Sequence, residues 1–193
     1  IISSVIKKVV IAMKDPNPKV SGKGIEELKK HGIEVVSGIL EDNAKRLNEA
    51  YIKYIITKTP FVILKTAMTL DGKIATPEGQ SKWITGEAAR KIVHQMRSSV
   101  DAVLTAVGTV KADNPEFTVR LGQKRQKVKN PARIVIDPNL EIPLDYKILD
   151  VPPETIVITS KSAVSSQQSV VKEKKKQLLV DEGIKIIEYE GER

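Results

Sequence analysis

Apolar runs rich in β-branched residues alternate along this chain with amphipathic stretches of helical spacing. Val5 to Met13 reads as a buried strand. Asp15-Pro16-Asn17-Pro18 ends it, because neither proline can donate to a ladder. Ile25 to His31 predicts a short helix stopped by Gly32, and Ile33 to Val36 a second strand. A longer helix is expected from Glu41, with Leu40, Ala44, Leu47, Tyr51, Tyr54 and Ile55 on one face. Thr57-Lys58-Thr59-Pro60 reads as a linker.

The second part opens with a strand from Phe61 to Thr66, and Asp71-Gly72 is a turn dipeptide able to join it to Lys73-Ile74-Ala75. A helix over Gly86 to Ser98 places Ala88, Ala89, Ile92, Val93 and Met96 on its buried face and Arg90, His94 and Arg97 on another stripe. Asp101 to Val107 predicts a buried strand, and Ala132 to Asp137, Thr155 to Thr159 and Ile184 to Ile187 repeat the pattern. A helix is expected over Val170 to Asp181. Strands alternating with helices imply an α/β fold with a largely parallel sheet.

Composition adds limits. At 193 residues, 40% apolar and 29% charged, the chain can bury a substantial core. No apolar run approaches the roughly 18 residues of a membrane span, and Ile1 to Met13 lacks a signal peptide's basic flank, so no membrane partner is expected. With no cysteine there is neither a disulfide framework nor a thiolate zinc site, and a cytoplasmic setting is the simplest. The net charge of +8 comes largely from Lys124 to Lys129 and from Lys172, Lys174, Lys175 and Lys176, read as a solvated loop and an exposed helix. Aromatic residues are 4% and none interleaves with these runs, which argues against nucleic acid as the partner. The same charge suits a small phosphorylated substrate.

Several residues are candidates for chemistry. Gly108-Thr109-Val110 follows a strand and opens a short helix; it reads either as a plain strand-to-helix turn or as a place where a ligand approaches backbone. The chain lacks a G-x-G-x-x-G fingerprint. Trp83, the lone tryptophan, is either a core plug or an aromatic wall beside a ligand. Arg97 and Arg120 could fork a phosphate or remain solvated, and His94 reads as a surface helix residue. No metal site is proposed within the chain.

Lys65, Leu70-Asp71-Gly72, Ser81-Lys82-Trp83-Ile84-Thr85, Arg97, Gly108-Thr109-Val110, Asp113, Pro115 and Arg120 together resemble the reductase domain of the bifunctional riboflavin-biosynthesis deaminase/reductases. The resemblance implies a dihydrofolate-reductase-like domain over residues 61–193, C-terminally incomplete, preceded over residues 1–58 by the tail of a cytidine-deaminase-like α/β domain. It implies NADPH-dependent reduction of the ribose of 5-amino-6-(5-phosphoribosylamino)uracil to a ribityl group. Carried over by position, Ser81, Arg97, Phe117 and Arg120 contact the substrate. Ala67, Trp83, Thr109 and Asp113 line the cofactor site, and Lys65 and Asp113 serve catalysis.

Lys8 to Pro18 is similar to the end of the deaminase half, where Asp15 and Asn17 would line a pyrimidine pocket. The zinc-holding His-Ala-Glu and Pro-Cys-x-x-Cys segments of that half would precede Ile1, so zinc is expected only in the full-length protein, either beyond this fragment or lost with a dead deaminase. Downstream, no Glu-Gly-Gly pattern matches the segment that closes over the cofactor; Glu190-Gly191-Glu192 comes near it only by chance, and Pro138 stands where relatives commonly have a hydroxyl. Two other readings stand beside this one: a catalytically silent nucleotide-binding fragment, and a basic nucleic-acid-binding protein. Unpaired sheet edges would favour a homo-oligomer.

Overall fold

The computed structural model describes residues 1–121, 129–150, 152–161 and 169–190. Most of the basic run Lys124 to Lys129, and Gly191-Glu192 near the C-terminus, lie outside the described residues. The chain divides into two compact units, Ile1–Thr66 and Ala67–Arg193.

In the first unit, β1 (Lys8–Ile11) and β2 (Glu34–Ser37) pair in parallel with Val9 opposite Val35, and α1 (Lys23–Lys30) joins them. Gly32, at φ +75°, ends α1 as expected. The long helix expected from Glu41 is instead two, α2 (Glu41–Leu47) and α3 (Glu49–Thr57). Asn48 breaks it, since its Nδ2 donates to the Ala44 carbonyl at 2.8 Å and competes with the helical backbone. The apolar face read from the spacing is not covered within this unit: Leu40, Leu47, Tyr51 and Tyr54 are all exposed. Phe61 to Thr66 is not a strand either; the run lies exposed, and no described strand of its unit pairs with it.

The second unit carries α4 (Glu87–Ser98), β3 (Ala102–Ala106), α5 (Val107–Asp113), β4 (Ala132–Ile136), β5 (Thr155–Ser160), α6 (Ser169–Asp181) and β6 (Lys185–Tyr189). The four strands form a wholly parallel sheet in chain order, with Leu104 opposite Ile134 and Val157 opposite Ile186. One face of it carries the core. Val135 and Val157 are fully buried beneath Val110 of α5, Ile142 and Ile148 of the β4–β5 connection, and Leu179 of α6. The opposite face is only partly covered, so β3 is half-exposed rather than buried, with Leu104 63% accessible.

Two polar side chains are locked into this core. Arg133 of β4 is fully buried and donates through Nη2 to the carbonyls of Pro153, at 2.7 Å, and Asp150. Its Nη1 reaches Glu116 O and Lys147 O at 3.4 Å each. Asp137, also fully buried, accepts the amides of Glu141 at 2.8 Å and Ile142 at 2.7 Å, closing the turn that contains Leu140 at φ +54°. The lysines of α6 are not all solvated. Lys175 donates to Leu140 O at 2.8 Å, and Lys176 meets Glu188 of β6 at 2.8 Å.

Candidate functional site

The Asp71-Gly72 turn forms as its dipeptide demands, with Gly72 at φ +80°, where a side chain would be strained. Thr69 N–H donates to Lys73 O at 2.9 Å, and the Lys73 amide returns to Thr69 Oγ1 at 2.9 Å. Lys73-Ile74-Ala75 nevertheless does not continue into a strand. The folded-back segment borders an open hollow of about 520 Å³ lined by Thr69, Asp71, Lys73, Thr76, Gln80 and Ile84. None of the predicted contact residues lines it.

Trp83 is no core plug. It stands 72% accessible, with the Arg90 guanidinium 4.3 Å over its ring. Arg90 is itself held by the Thr85 carbonyl at 2.6 Å. Ser81 Oγ comes within 3.5 Å of Asp113 Oδ1, so residues far apart in sequence, one assigned to substrate and one to cofactor, are neighbours. Thr109 lies exposed on α5, and Ala67 is half-buried. The α5 helix starts one residue earlier than the glycine suggested: Ala106 is its N-cap and no side chain caps it, so Thr109 is not a capping residue. A Cβ added to Gly108 would meet nothing within 4 Å, consistent with open space above this turn.

The densest part of the site lies where α4 meets the loop after α5. The stripe turned toward that loop is the polar one. Arg97 is half-buried, donates from Nη1 to Thr118 O at 2.8 Å and lies 5.5 Å from the centre of the Phe117 ring. Ile92, expected in the core, is 55% accessible, and Ala88 and Ala89 are exposed. Val93 and Met96 of the same expected face are half-buried, and Arg97 is covered because it finds a carbonyl and an aromatic face in the loop. Phe117 takes φ +51°, and its ring packs against the core cluster. Arg120 is exposed, 3.9 Å from Glu116.

His94 is not the plain surface residue expected from its helix position. It is half-buried, its Nδ1 accepts the Arg120 amide at 3.2 Å, and Arg97 Nη1 lies 3.5 Å from the same nitrogen. Burial, then the Arg97 and Arg120 charges, hold its pKa below the ordinary 6.5, against a smaller upward pull from Thr118. Burial likewise lowers the Arg97 pKa. The i, i+3 spacing of His94 and Arg97 was the sequence signal for this pair.

In the first unit, Asp15 and Asn17 come together. Asp15 Oδ1 accepts the Asn17 amide at 2.8 Å and the Tyr51 hydroxyl at 2.9 Å. That hydrogen bond raises the Tyr51 pKa above its usual 10. Tyr51, on the apolar face that the spacing predicts, is instead tied to this acidic turn. Lys65 stands exposed near the end of the same unit.

Residues 60–187 match the model of the RibD C-terminal domain. The chain belongs to this family. The RibD protein of Aquifex aeolicus (strain VF5), named for riboflavin biosynthesis, is 46% identical over 187 residues, covering 96% of this chain and 51% of that protein. The RibD of Bacillus amyloliquefaciens is 48% identical over 149 residues, 77% of this chain and 39% of its own. Acinetobacter baumannii RibD superposes with a TM-score of 0.79 at 38% identity, over 98% of this chain and 50% of that structure. A diaminohydroxyphosphoribosylaminopyrimidine deaminase/5-amino-6-(5-phosphoribosylamino)uracil reductase from Thermotoga maritima does so with a TM-score of 0.75 at 41% identity, over 98% and 55%. The chain thus spans about half the length of the RibD proteins it matches. Both parallel sheets conform to the α/β fold of RibD. Among the described residues no helix is long and apolar enough to cross a membrane.

Proposed function

We propose that this RibD-family chain serves riboflavin biosynthesis as an NADPH-dependent reductase, converting the ribose of 5-amino-6-(5-phosphoribosylamino)uracil to a ribityl group. The observation that carries the reading is the gathering of Arg97, Phe117 and Arg120 at one loop, one guanidinium over an aromatic face and a second close enough to act on its charge. That set suits a phosphate monoester attached to a sugar. The Ser81–Asp113 pair, the exposed Thr109 and Trp83 supply hydroxyl, carboxylate and indole groups suited to a nicotinamide carboxamide and ribose. Bound there, NADPH would supply hydride to C1′ of the opened sugar.

In this assignment Ser81, Arg97, Phe117 and Arg120 hold the substrate, Ala67, Trp83 and Thr109 the cofactor, and Asp113 orients the nicotinamide side. Lys65 supplies positive charge or a proton to the opening ring. Asp15 and Asn17 would belong to a pyrimidine pocket in a deaminase half, with zinc held by residues outside this sequence. The division into a deaminase tail over residues 1–58 and a reductase over 61–193, a cytoplasmic setting and self-association complete the proposal.

The test is loss of NADPH absorbance with the deaminated pyrimidine, on this chain and on one extended at both ends. Turnover should require the substrate phosphate. It should fall at least about a hundredfold in Lys65→Met, on the scale of a lost general acid, and in Asp113→Asn as well. Turnover unchanged in both variants would refute the role assignment. Absence of turnover and of NADPH binding in either chain would refute the reductase reading.

A further inference from the structure

We propose that neutral His94 is the positioning residue that sets the Arg97 and Arg120 guanidinium groups for a phosphate monoester, by accepting the Arg120 amide proton at Nδ1. This rests on the anion-binding part of the proposed function and extends it to a residue with no assigned role. The geometry supports it in three ways. His94 is on α4 and Arg120 on the loop after α5, so the 3.2 Å bond joins the two elements that carry the cations. Arg97, one turn along α4, binds the neighbouring Thr118 carbonyl at 2.8 Å and lies 3.5 Å from the same imidazole nitrogen. One lone pair therefore faces a donor from each cationic residue.

The surroundings keep that lone pair available. Arg97 and Arg90 lie on His94's own helix, and Arg120, Thr118 and Glu116 lie on the loop facing it. The two arginines nearest the ring make a third positive charge unfavourable, and Glu116, 3.9 Å from Arg120 Nη1, answers Arg120. Protonation would turn Nδ1 into a donor aimed at another donor, and the Arg120 backbone would leave its position. Because the imidazole is neutral in this arrangement, removing it takes no charge from the anion site. A loss of phosphate affinity would report lost geometry.

The experiment is calorimetric titration of the chain and its variants with ribose 5-phosphate and with ribose, at a pH about one unit above His94's ordinary value. The unmutated chain is expected to bind ribose 5-phosphate and not ribose. His94→Leu should weaken ribose 5-phosphate about tenfold or more, a step of one decade in Kd. His94→Gln, whose side-chain oxygen can accept the same amide, should stay within about threefold. Amide hydrogen exchange of the unmutated chain should show Arg120 protected, with the protection lost as the pH falls and His94 protonates. His94→Leu binding as tightly as the parent, equal losses in Leu and Gln, or an unprotected Arg120 amide would each overturn the positioning role while leaving the anion site standing. A parent chain that does not prefer ribose 5-phosphate over ribose would instead remove the anion site, and this role with it.

Discussion

A buried aspartate at the carboxyl end of a parallel strand is easily taken for a functional group, and Asp137 sits at that place, immediately after β4. Its two oxygens are already engaged, one by the amide of Glu141 and one by that of Ile142. Asp137→Ala removes both acceptors, with unequal consequences. Ile142 is fully buried, so its N–H is left without a partner, at about 1–3 kcal/mol. Glu141 is exposed and its amide can turn to water, forfeiting about 0.5–1.5 kcal/mol. Release of a buried carboxylate offsets part of this, and the nearby Lys175 ammonium loses an attractive neighbour. The expected net destabilisation is about 2–3 kcal/mol. With a urea slope of about 2 kcal/mol/M, that lowers the unfolding midpoint by roughly 1 M. Asp137→Asn keeps one acceptor, which can serve Ile142, and should cost about 1 kcal/mol. The assay is urea unfolding followed by far-ultraviolet circular dichroism, with amide exchange at Ile142 as the local probe. A shift below about 0.3 M for Asp137→Ala, or equal losses for Ala and Asn, would refute the reasoning.

Arg133→Met should destabilise the second unit by about 1–3 kcal/mol, because the buried Pro153 carbonyl loses its donor while the more accessible Asp150 carbonyl can turn to water; a urea midpoint unchanged from the parent would contradict this. His94, whose native pKa lies below 6.5, makes the unfolded chain the better proton acceptor. Its contribution is therefore complete above pH 6.5 and lost as pH falls, which thermal melts of the parent and His94→Gln across pH 5 to 7.5 would compare. Tyr51 shifts the opposite way: its bond to Asp15 is retained below pH 10 and lost as the pH rises through the elevated native value, so ultraviolet titration should show one late-ionising tyrosine that Asp15→Ala abolishes. Gly22→Ala should cost about 1–2 kcal/mol from its φ of +83°, seen as a lower melting temperature of the first unit; the 2.8 Å approach to the Lys14 side chain should be relieved by rotation.

The β-branched runs at Ala132 to Asp137 and Thr155 to Thr159 identify core strands correctly, because both lie inside the sheet with one face fully packed. The same signal misleads at Phe61 to Thr66, where an apolar run has no described partner strand in its unit. A strand is a property of a pair, and composition records only one member. Helical periodicity locates α4 and its partly buried Val93 and Met96, but misses that Arg97 and His94 are covered as well and that Ala88, Ala89 and Ile92 are exposed, since spacing cannot say that Arg97 will find Thr118 O and the Phe117 ring. The motif assigns Ser81 to the substrate and Asp113 to the cofactor, and the fold brings the two side chains within 3.5 Å of each other. Asp137 escapes notice, and His94 is placed on the right stripe but in the wrong role, for a common reason: each binds backbone amides, and backbone atoms leave no trace in a sequence pattern.

Four bonds tie the main chain of the loop from Glu116 to Arg120 to residues outside it, while the Phe117 ring anchors it to the core. Arg133 takes the Glu116 carbonyl, Arg97 that of Thr118, Asn130 the Val119 amide at 2.8 Å and His94 the Arg120 amide. Fasteners of this kind are indifferent to the side chain carried by the residue they grip. Val119, held through its amide alone, can therefore be exchanged for residues of different size or polarity without the loop changing course, whereas Thr118 also donates its hydroxyl to the Glu116 carboxylate at 3.2 Å. Substitution there offers natural drift, or an engineer, a way to retune what the pocket's rim accepts while the frame beneath it stays the same.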